Sequence, residues 1–472
     1  MNFVQDDFFY YLKVASNVAS GNGSTFNGIV PTNGYHPLWM WALACVIRIG
    51  HGIRFVPIFL GASIWLATMA SYFLANRLLK KVHVEPVVAA SLAVYTAIYA
   101  MHVFDYGMEV IFAVPAMLGL VLLLQQETWS SGGDKDWIYG VAIGLITTLM
   151  VLSRLDTVIF ATLIAFGIVF QPALRAKIRL RLLVGVGLGV SPLVAYFLFN
   201  RFTFGIWLPV SGMAKQLRLD HGFTSPAWSS LFSKSPVQLL NLVPILVAIG
   251  ALPWLWKVLR PSERAVYPAT LLFTFVYLAI LSWLSDWQLW GWYFYMLRPA
   301  LVVALVLLLR SPWLKRHTES PWMLGVLVLV AIVDIHTVQL PQQQPEIVAA
   351  AREIQQFSLT HPGTYAMGDR SGAVGYLLDE PVVQTEGLMM DAPYLELIRK
   401  QLPLREVLKR YNVRYYVGSA KKPFTGCFNA KEPAQAGPHS PHLEADFCED
   451  PVARWSFAGV QTMIFDLHPQ HP

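Results

Sequence analysis

FVPIFLGASIWLATMASYFLAN, Phe55–Asn76, runs for 22 residues without a single charged side chain. At about 1.5 Å per residue a helix of that length reaches about 33 Å, enough to cross the roughly 30 Å hydrocarbon core of a bilayer. Working outward from it, nine further apolar stretches follow at roughly 86–104, 108–125, 137–152, 155–170, 182–200, 237–256, 265–284, 291–309 and 322–340. An earlier one, Pro37–Ile49, has only 13 residues and suits a juxtamembrane or re-entrant helix lying in the interface. The expected fold is mostly α, a polytopic transmembrane bundle of about ten helices.

Composition agrees. Apolar residues make up 55% of the 472 and charged residues only 14%, against about 25% charged in soluble domains, which excludes a soluble enzyme. Residues 1–340 hold 37 charged side chains and 341–472 hold 27, so the shorter segment is about twice as dense in charge. The expected organisation is 1–54, a first external loop with an amphipathic and a juxtamembrane helix; 55–340, the membrane domain; and 341–472, a small α/β domain in water. Of the formal net charge of +6, residues 1–340 carry +9 and the tail −3, with no basic run interleaved with aromatics, so nucleic acid is not an expected partner.

Direction follows from the short loops, because Lys and Arg stay on the cytoplasmic side. One alternate set holds fourteen of them (77–81, 135, 175–181, 257–264 and 310–316). The other set is sparser, which places residues 1–54, the loop 201–236 and the tail outside the cytoplasm. A chain starting outside implies a further helix ahead of residue 1, giving eleven spans and a cytoplasmic N-terminus.

The chemistry-bearing segment is the first loop: Asp6-Asp7-Phe8-Phe9-Tyr10-Tyr11-Leu12, then Gly21-Asn22-Gly23, then Tyr35-His36-Pro37-Leu38-Trp39. Residues 6–20 read as an amphipathic helix with Phe8, Tyr11, Leu12 and Ala15 on its apolar face. One reading of the acidic pair is local, with Asp6 capping the helix and Asp7 favouring its dipole. The other is chemical: carboxylates at an interface, beside aromatics and a short apolar helix, suit an acid–base group meeting a lipid-borne substrate.

The Asp-Asp-x-x-Tyr-Tyr run, the Gly-x-Gly turn and the His-Pro-Leu resemble the GT-C superfamily of integral-membrane glycosyltransferases, in particular bacterial relatives of protein O-mannosyltransferases, aminoarabinose transferases and arabinofuranosyltransferases. The resemblance covers 6–340 as architecture and 5–40 as a motif. It implies transfer of a sugar from a polyprenyl-phosphate donor to a hydroxyl on a glycan, lipid or protein acceptor, at the outer face of the inner membrane. It also implies that Asp6 or Asp7 is the catalytic base and that Glu109 is the acidic residue of the second external loop. Lys215, within Pro209-Val-Ser-Gly-Met-Ala-Lys215, and Arg298, about two turns inside an apolar run, are expected at the donor phosphate, with Arg154, Arg54 and His36 as further candidates. Plainer alternatives stay open: an Arg154–Asp156 pair, Glu109 on a helix dipole, a solvated Lys215, a snorkelling Arg54 and a packed His36. No cofactor is expected; a divalent cation between an Asp and Glu109 is chemically allowed.

In the tail, strands are expected at 364–367, 381–384 and 413–417, helices at 371–378 and 394–411, and a mobile loop at 428–443, which holds three Pro. Cys427 and Cys448 are able to bridge in an oxidising compartment, while Cys45 reads as a packing residue. Gly363–Ser371 echoes a phosphate loop but lacks the Lys before Ser. The competing class is a transporter or flippase. It predicts paired halves with broken helices near the midplane, whereas the sequence shows no internal repeat and its unusual polar residues cluster near the outer face.

Overall fold

A computed structural model describes residues 5–82, 85–104, 107–125, 136–169, 176–220, 222–224, 229–230, 236–311, 345–420 and 426–468. Helices come first: α1 (Asp6–Ala19), α2 (Pro37–Ile49), α3 (Val56–Lys80), α4 (Pro86–Phe104), α5 (Ala113–Leu124), α6 (Asp136–Ser153), α7 (Val158–Val169), α8 (Ala176–Phe204), α9 (Val210–Lys215), α10 (Pro236–Leu255), α11 (Pro261–Leu284), α12 (Gly291–Tyr295) and α13 (Arg298–Leu308). Six helical stretches among the described residues are long and apolar enough to cross a membrane: Ile53–Lys80, Asp136–Ser153, Leu180–Phe204, Asn241–Val258, Pro261–Leu284 and Gly291–Leu308. Pro37–Ile49 is a shorter apolar helix, as expected, and the stretches expected to span at 86–104, 108–125 and 155–170 also give only shorter apolar helices among the described residues, Pro86–Ala97, Glu109–Leu124 and Leu155–Val169. The expected span at 322–340 lies outside the described residues.

The bundle turns large apolar side chains outward as well as inward. Ile58, Trp65, Leu66 and Phe73 of α3, and Leu180, Val184, Leu188 and Phe202 of α8, are exposed, a surface suited to lipid and costly in water. Helices α6 and α8 meet through glycine. A Cβ on Gly140 would lie 2.3 Å from the Leu182 carbonyl oxygen, and one on Gly144 would lie 2.6 Å from that of Val186, with Gly185 and Gly189 facing them. Small residues four apart let two backbones touch, which is how apolar helices gain packing energy where no hydrophobic effect drives them together.

The rest of the chain is α/β, with α14 (Pro345–Ser358), α15 (Ser371–Leu377), α16 (Ala392–Arg399) and α17 (Leu404–Arg410) packed with two sheets. The larger sheet has the order β2 (Val382–Gln384), β1 (Thr364–Met367), β3 (Val413–Ala420), β7 (Val460–Asp466), β6 (Ala453–Phe457), parallel across β2-β1-β3 and antiparallel beyond. The helix expected over 394–411 is two, broken at Gln401, whose φ is +51°, and Pro403.

The expected mobile loop 428–443 requires correction. Its first five residues are β4 (Phe428–Glu432), paired antiparallel with β5 (Leu443–Phe447), and the Cys427–Cys448 disulfide closes the hairpin. Phe428 and Phe447 stack on Phe465 of β7 at 5.8 and 5.1 Å. The proline-rich remainder is tied to the bundle, since the Gly437 N–H donates to the Asp286 carbonyl (2.9 Å) and the His439 N–H to the Asp286 carboxylate (2.8 Å). Proline fixes backbone here and does not loosen it.

Helix α1 departs from expectation in a second way: it has no free polar face. Phe8, Phe9, Tyr10, Tyr11, Leu12, Val14 and Ala15 are all buried, because the α/β domain covers the side turned away from the bundle. Phe9 packs on Tyr376 of α15 at 5.7 Å, and Lys13 donates to the Leu378 carbonyl at 3.0 Å.

Candidate functional site

Seven segments converge at one end of the bundle, those holding Asp7, His36, Glu109, Arg154, Lys215, Tyr293 and Met389. Gly107 takes φ +63° and its carbonyl accepts from the Trp39 indole N–H at 2.9 Å; a Cβ there would lie 2.7 Å from the Phe8 ring. Only glycine fits both the left-handed backbone and the contact, and the turn it makes delivers Glu109 into the interior. Glu109 is 1% exposed. Its Oε2 accepts from the Tyr11 hydroxyl (3.0 Å), and its Oε1 lies 3.1 Å from Arg154 Nη1 and 3.3 Å from His36 Nε2.

Arg154 sits between the α6 and α7 segments, 3% exposed. Its Nε is 3.0 Å from Asp156, which also accepts from the Tyr277 hydroxyl at 2.8 Å, and its guanidinium lies over the Tyr293 ring at 4.5 Å. The Arg154–Asp156 pair read as the plainer alternative is present, and Arg154 also pairs with Glu109, a contact not expected from the sequence. The Leu155 N–H donates to His36 Nδ1 (3.4 Å), which puts the ring proton on Nε2, facing Glu109. Burial, with Arg154 nearby, pushes His36 down to about 3, so the ring is neutral at physiological pH.

Lys215, at the end of α9, donates to the Tyr293 hydroxyl at 3.2 Å. Burial favours its neutral amine, but Tyr293 and Asp7 outweigh that and hold the ammonium above its ordinary range. These groups line a cavity of about 70 Å³ together with Asp7, Tyr10, Tyr11, Ser211 and Trp292; Leu388 and Met389 of the α/β domain complete the wall. That volume holds a few waters.

The two aspartates part company. Asp6 does not cap its own helix, whose N-cap is Gln5. Its carboxylate instead accepts from the N–H groups of Gly372 (2.8 Å) and Ala373 (2.8 Å), in the first turn of α15. Asp7 lines the cavity. Burial raises both, Asp6 to about 7 against the pull of its two N–H donors, and Asp7 to about 6 with Lys215 opposing and Asp369 and Glu109 assisting. Titration therefore does not separate them, whereas hydrogen bonding does.

Of the expected site residues, the structure gathers Asp7, His36, Glu109, Arg154 and Lys215. Arg298 is buried against the Tyr95 ring at 4.8 Å, and Arg54 is exposed beside Phe55 at 4.6 Å; neither lines the cavity. Among the described residues, no group of three or more His, Cys, Asp or Glu is placed to hold a metal ion. Tyr293, Tyr277 and the Leu388–Met389 wall were not singled out from the sequence. Tyr11 was placed only on a packing face, although its spacing of four from Asp7 sets both on one side of a helix. Comparison of the sequence with protein-family models and with curated proteins finds no match, so the chemistry of this site rests on its own residues.

Proposed function

We propose that the chain is an integral-membrane glycosyltransferase, moving a sugar from a polyprenyl-phosphate donor to an acceptor hydroxyl on the extracytoplasmic side of the inner membrane, with inversion. The observation that carries this reading is the convergence of one free carboxylate, Asp7, with two buried cations, Arg154 and Lys215, on a single cavity at one end of an apolar bundle. A donor with its tail in lipid meets such a cavity headgroup first.

Asp7 takes the proton of the acceptor hydroxyl as that oxygen bonds to the anomeric carbon. The bond from the anomeric carbon to the phosphate oxygen breaks, and polyprenyl phosphate departs with the electron pair. Lys215 offsets the developing charge as a mobile point charge, and Arg154 adds a fixed guanidinium. Glu109, Asp156 and Tyr293 hold that guanidinium in place, and Glu109 is itself held by Tyr11 and His36. Attack opposite the phosphate inverts the anomeric centre, through a transition state of the oxocarbenium kind.

The test uses the purified full chain in liposomes with radiolabelled polyprenyl-phosphate sugars. Sugar transfer by the parent, lost in a well-folded Asp7→Asn variant, is expected. Passage of labelled lipid across the bilayer with no transfer to any acceptor refutes the reading.

A further inference from the structure

Adjacent residues on a helix point about 100° apart, so Asp6 and Asp7 face different surroundings, and α1 shows which. Asp7 and Tyr11, four apart, face the cavity, where Tyr11 donates to Glu109. Asp6, Tyr10 and Lys13, at spacings of four and three, all reach one strip of the α/β domain. Asp6 accepts from the Gly372 and Ala373 N–H groups, the Tyr10 hydroxyl lies 2.9 Å from Ser371 Oγ, and Lys13 donates to the Leu378 carbonyl. Gly372 is required at this contact: a Cβ would lie 2.3 Å from the Asp6 carbonyl oxygen.

We propose that Asp6 is a positioning residue whose carboxylate, clamped on the first turn of α15, sets the rotation of α1 about its axis and thereby the aim of Asp7 into the cavity. A slip of one residue in that rotation would turn Asp7 away and put Asp6 or Phe8 in its place. The same clamp seats the wall formed by Leu388 and Met389, since the α/β domain carries both. The domain is thus a working part of the site. Two N–H donors are what a carboxylate accepts best: each bond is charge-assisted, and both oxygens are occupied. An amide side chain offers one acceptor oxygen and brings an N–H against a donor.

The test compares Asp6→Ala, Asp6→Asn, Gly372→Ala and Asp7→Asn in the full chain in detergent. Hydrogen–deuterium exchange of segment 371–378 reads the clamp directly. Modification of Asp7 by dicyclohexylcarbodiimide, followed by peptide mass, reads its surroundings without any catalysis. Asp6→Ala and Gly372→Ala are expected to speed exchange of 371–378 at least tenfold and to change the Asp7 modification rate severalfold, with Asp6→Asn between them and the parent. Asp7→Asn leaves exchange at the parental rate. Gly372→Ala disturbs the clamp from the far side and leaves both aspartates intact, so it keeps the test valid where an Asp6 variant does not fold.

Only the turnover arm rests on the glycosyltransferase reading. There the clamp variants lower kcat more than tenfold with donor KM within about twofold, whereas a merely structural loss lowers the amount of active protein and leaves kcat per folded molecule unchanged. Parental exchange of 371–378 in Asp6→Ala and Gly372→Ala overturns the clamp. Faster exchange with an unchanged Asp7 modification rate overturns its role in aiming Asp7. Both results stand whether or not any sugar is transferred.

Discussion

Replacing Arg154 with methionine keeps most of the side chain's length and removes only its charge and donors. In the structure that charge faces two carboxylates at once, Glu109 at 3.1 Å and Asp156 at 3.0 Å, and is 97% enclosed. Glu109 keeps Tyr11 and neutral His36 as donors, and Asp156 keeps Tyr277, but neither keeps a cation. Removing one partner of a buried pair costs about 3–5 kcal/mol, because the remaining charge is left desolvated; every 1.4 kcal/mol is tenfold in the unfolding equilibrium. Arg154→Met should therefore shift SDS-induced unfolding in mixed micelles by more than a hundredfold in equilibrium constant, followed by tryptophan fluorescence. The double variant Arg154→Met/Glu109→Gln should recover part of the loss, about 0.5–3 kcal/mol, since groups in one network couple by that amount. Strict additivity, or an Arg154→Met protein as stable as the parent, would refute the claim that these residues form one electrostatic unit.

Three further outcomes are expected. Asp7 acts as a base only when ionised, and burial raises it to about 6, so transfer should fall tenfold per pH unit below about 6. Lys215→Met, which removes the cation that favours the carboxylate, should move that limb to higher pH; a limb that ignores Lys215 excludes Asp7 as its source. Gly144→Leu forces a side chain into the Val186 carbonyl and Gly189, whereas a Cβ on Gly187 meets nothing within 4 Å. The first should cost about 1–3 kcal/mol or more by overpacking and reduce folded yield on size exclusion, while Gly187→Ala should not. Cys448→Ser opens a bridge spanning 21 residues, worth about 3 kcal/mol by loop entropy. Trypsin should then cut the β4–β5 hairpin faster, and an unchanged rate would show that aromatic packing alone holds it.

Among the described residues, six of the ten stretches expected to span are helices long and apolar enough to cross a membrane; they were legible because a bilayer demands length and apolarity together, and few soluble segments supply both. Ser371–Leu377 and Thr364–Met367 were legible from turn signals and short apolar runs. The β4–β5 hairpin was not, because proline and few apolar residues normally mark a loop. What orders it is a disulfide and a row of phenylalanines that meet only in three dimensions, Phe428 and Phe447 against Phe465. The burial of α1 on both sides was hidden for the same reason: Phe9 and Tyr10 look like excess hydrophobics on a polar face until the α/β domain covers them.

The acidic pair is the hardest case, and the difficulty is one of symmetry. Asp6 and Tyr10, Asp7 and Tyr11 form two identical patterns four residues apart on one helix, so periodicity, propensity and charge treat them alike. Burial raises both carboxyls as well. The symmetry is broken by Gly372 and Ala373, more than 360 positions along the chain, whose N–H groups satisfy one carboxylate and leave the other without a backbone partner of that kind. The two N–H donors hold the Asp6 oxygens on the first turn of α15, away from the cavity, whereas Asp7 lines it. The division of labour between neighbouring aspartates is therefore decided by the distant segment that docks on one of them, and a change in α15 should alter chemistry in α1 as surely as a change in the pair itself.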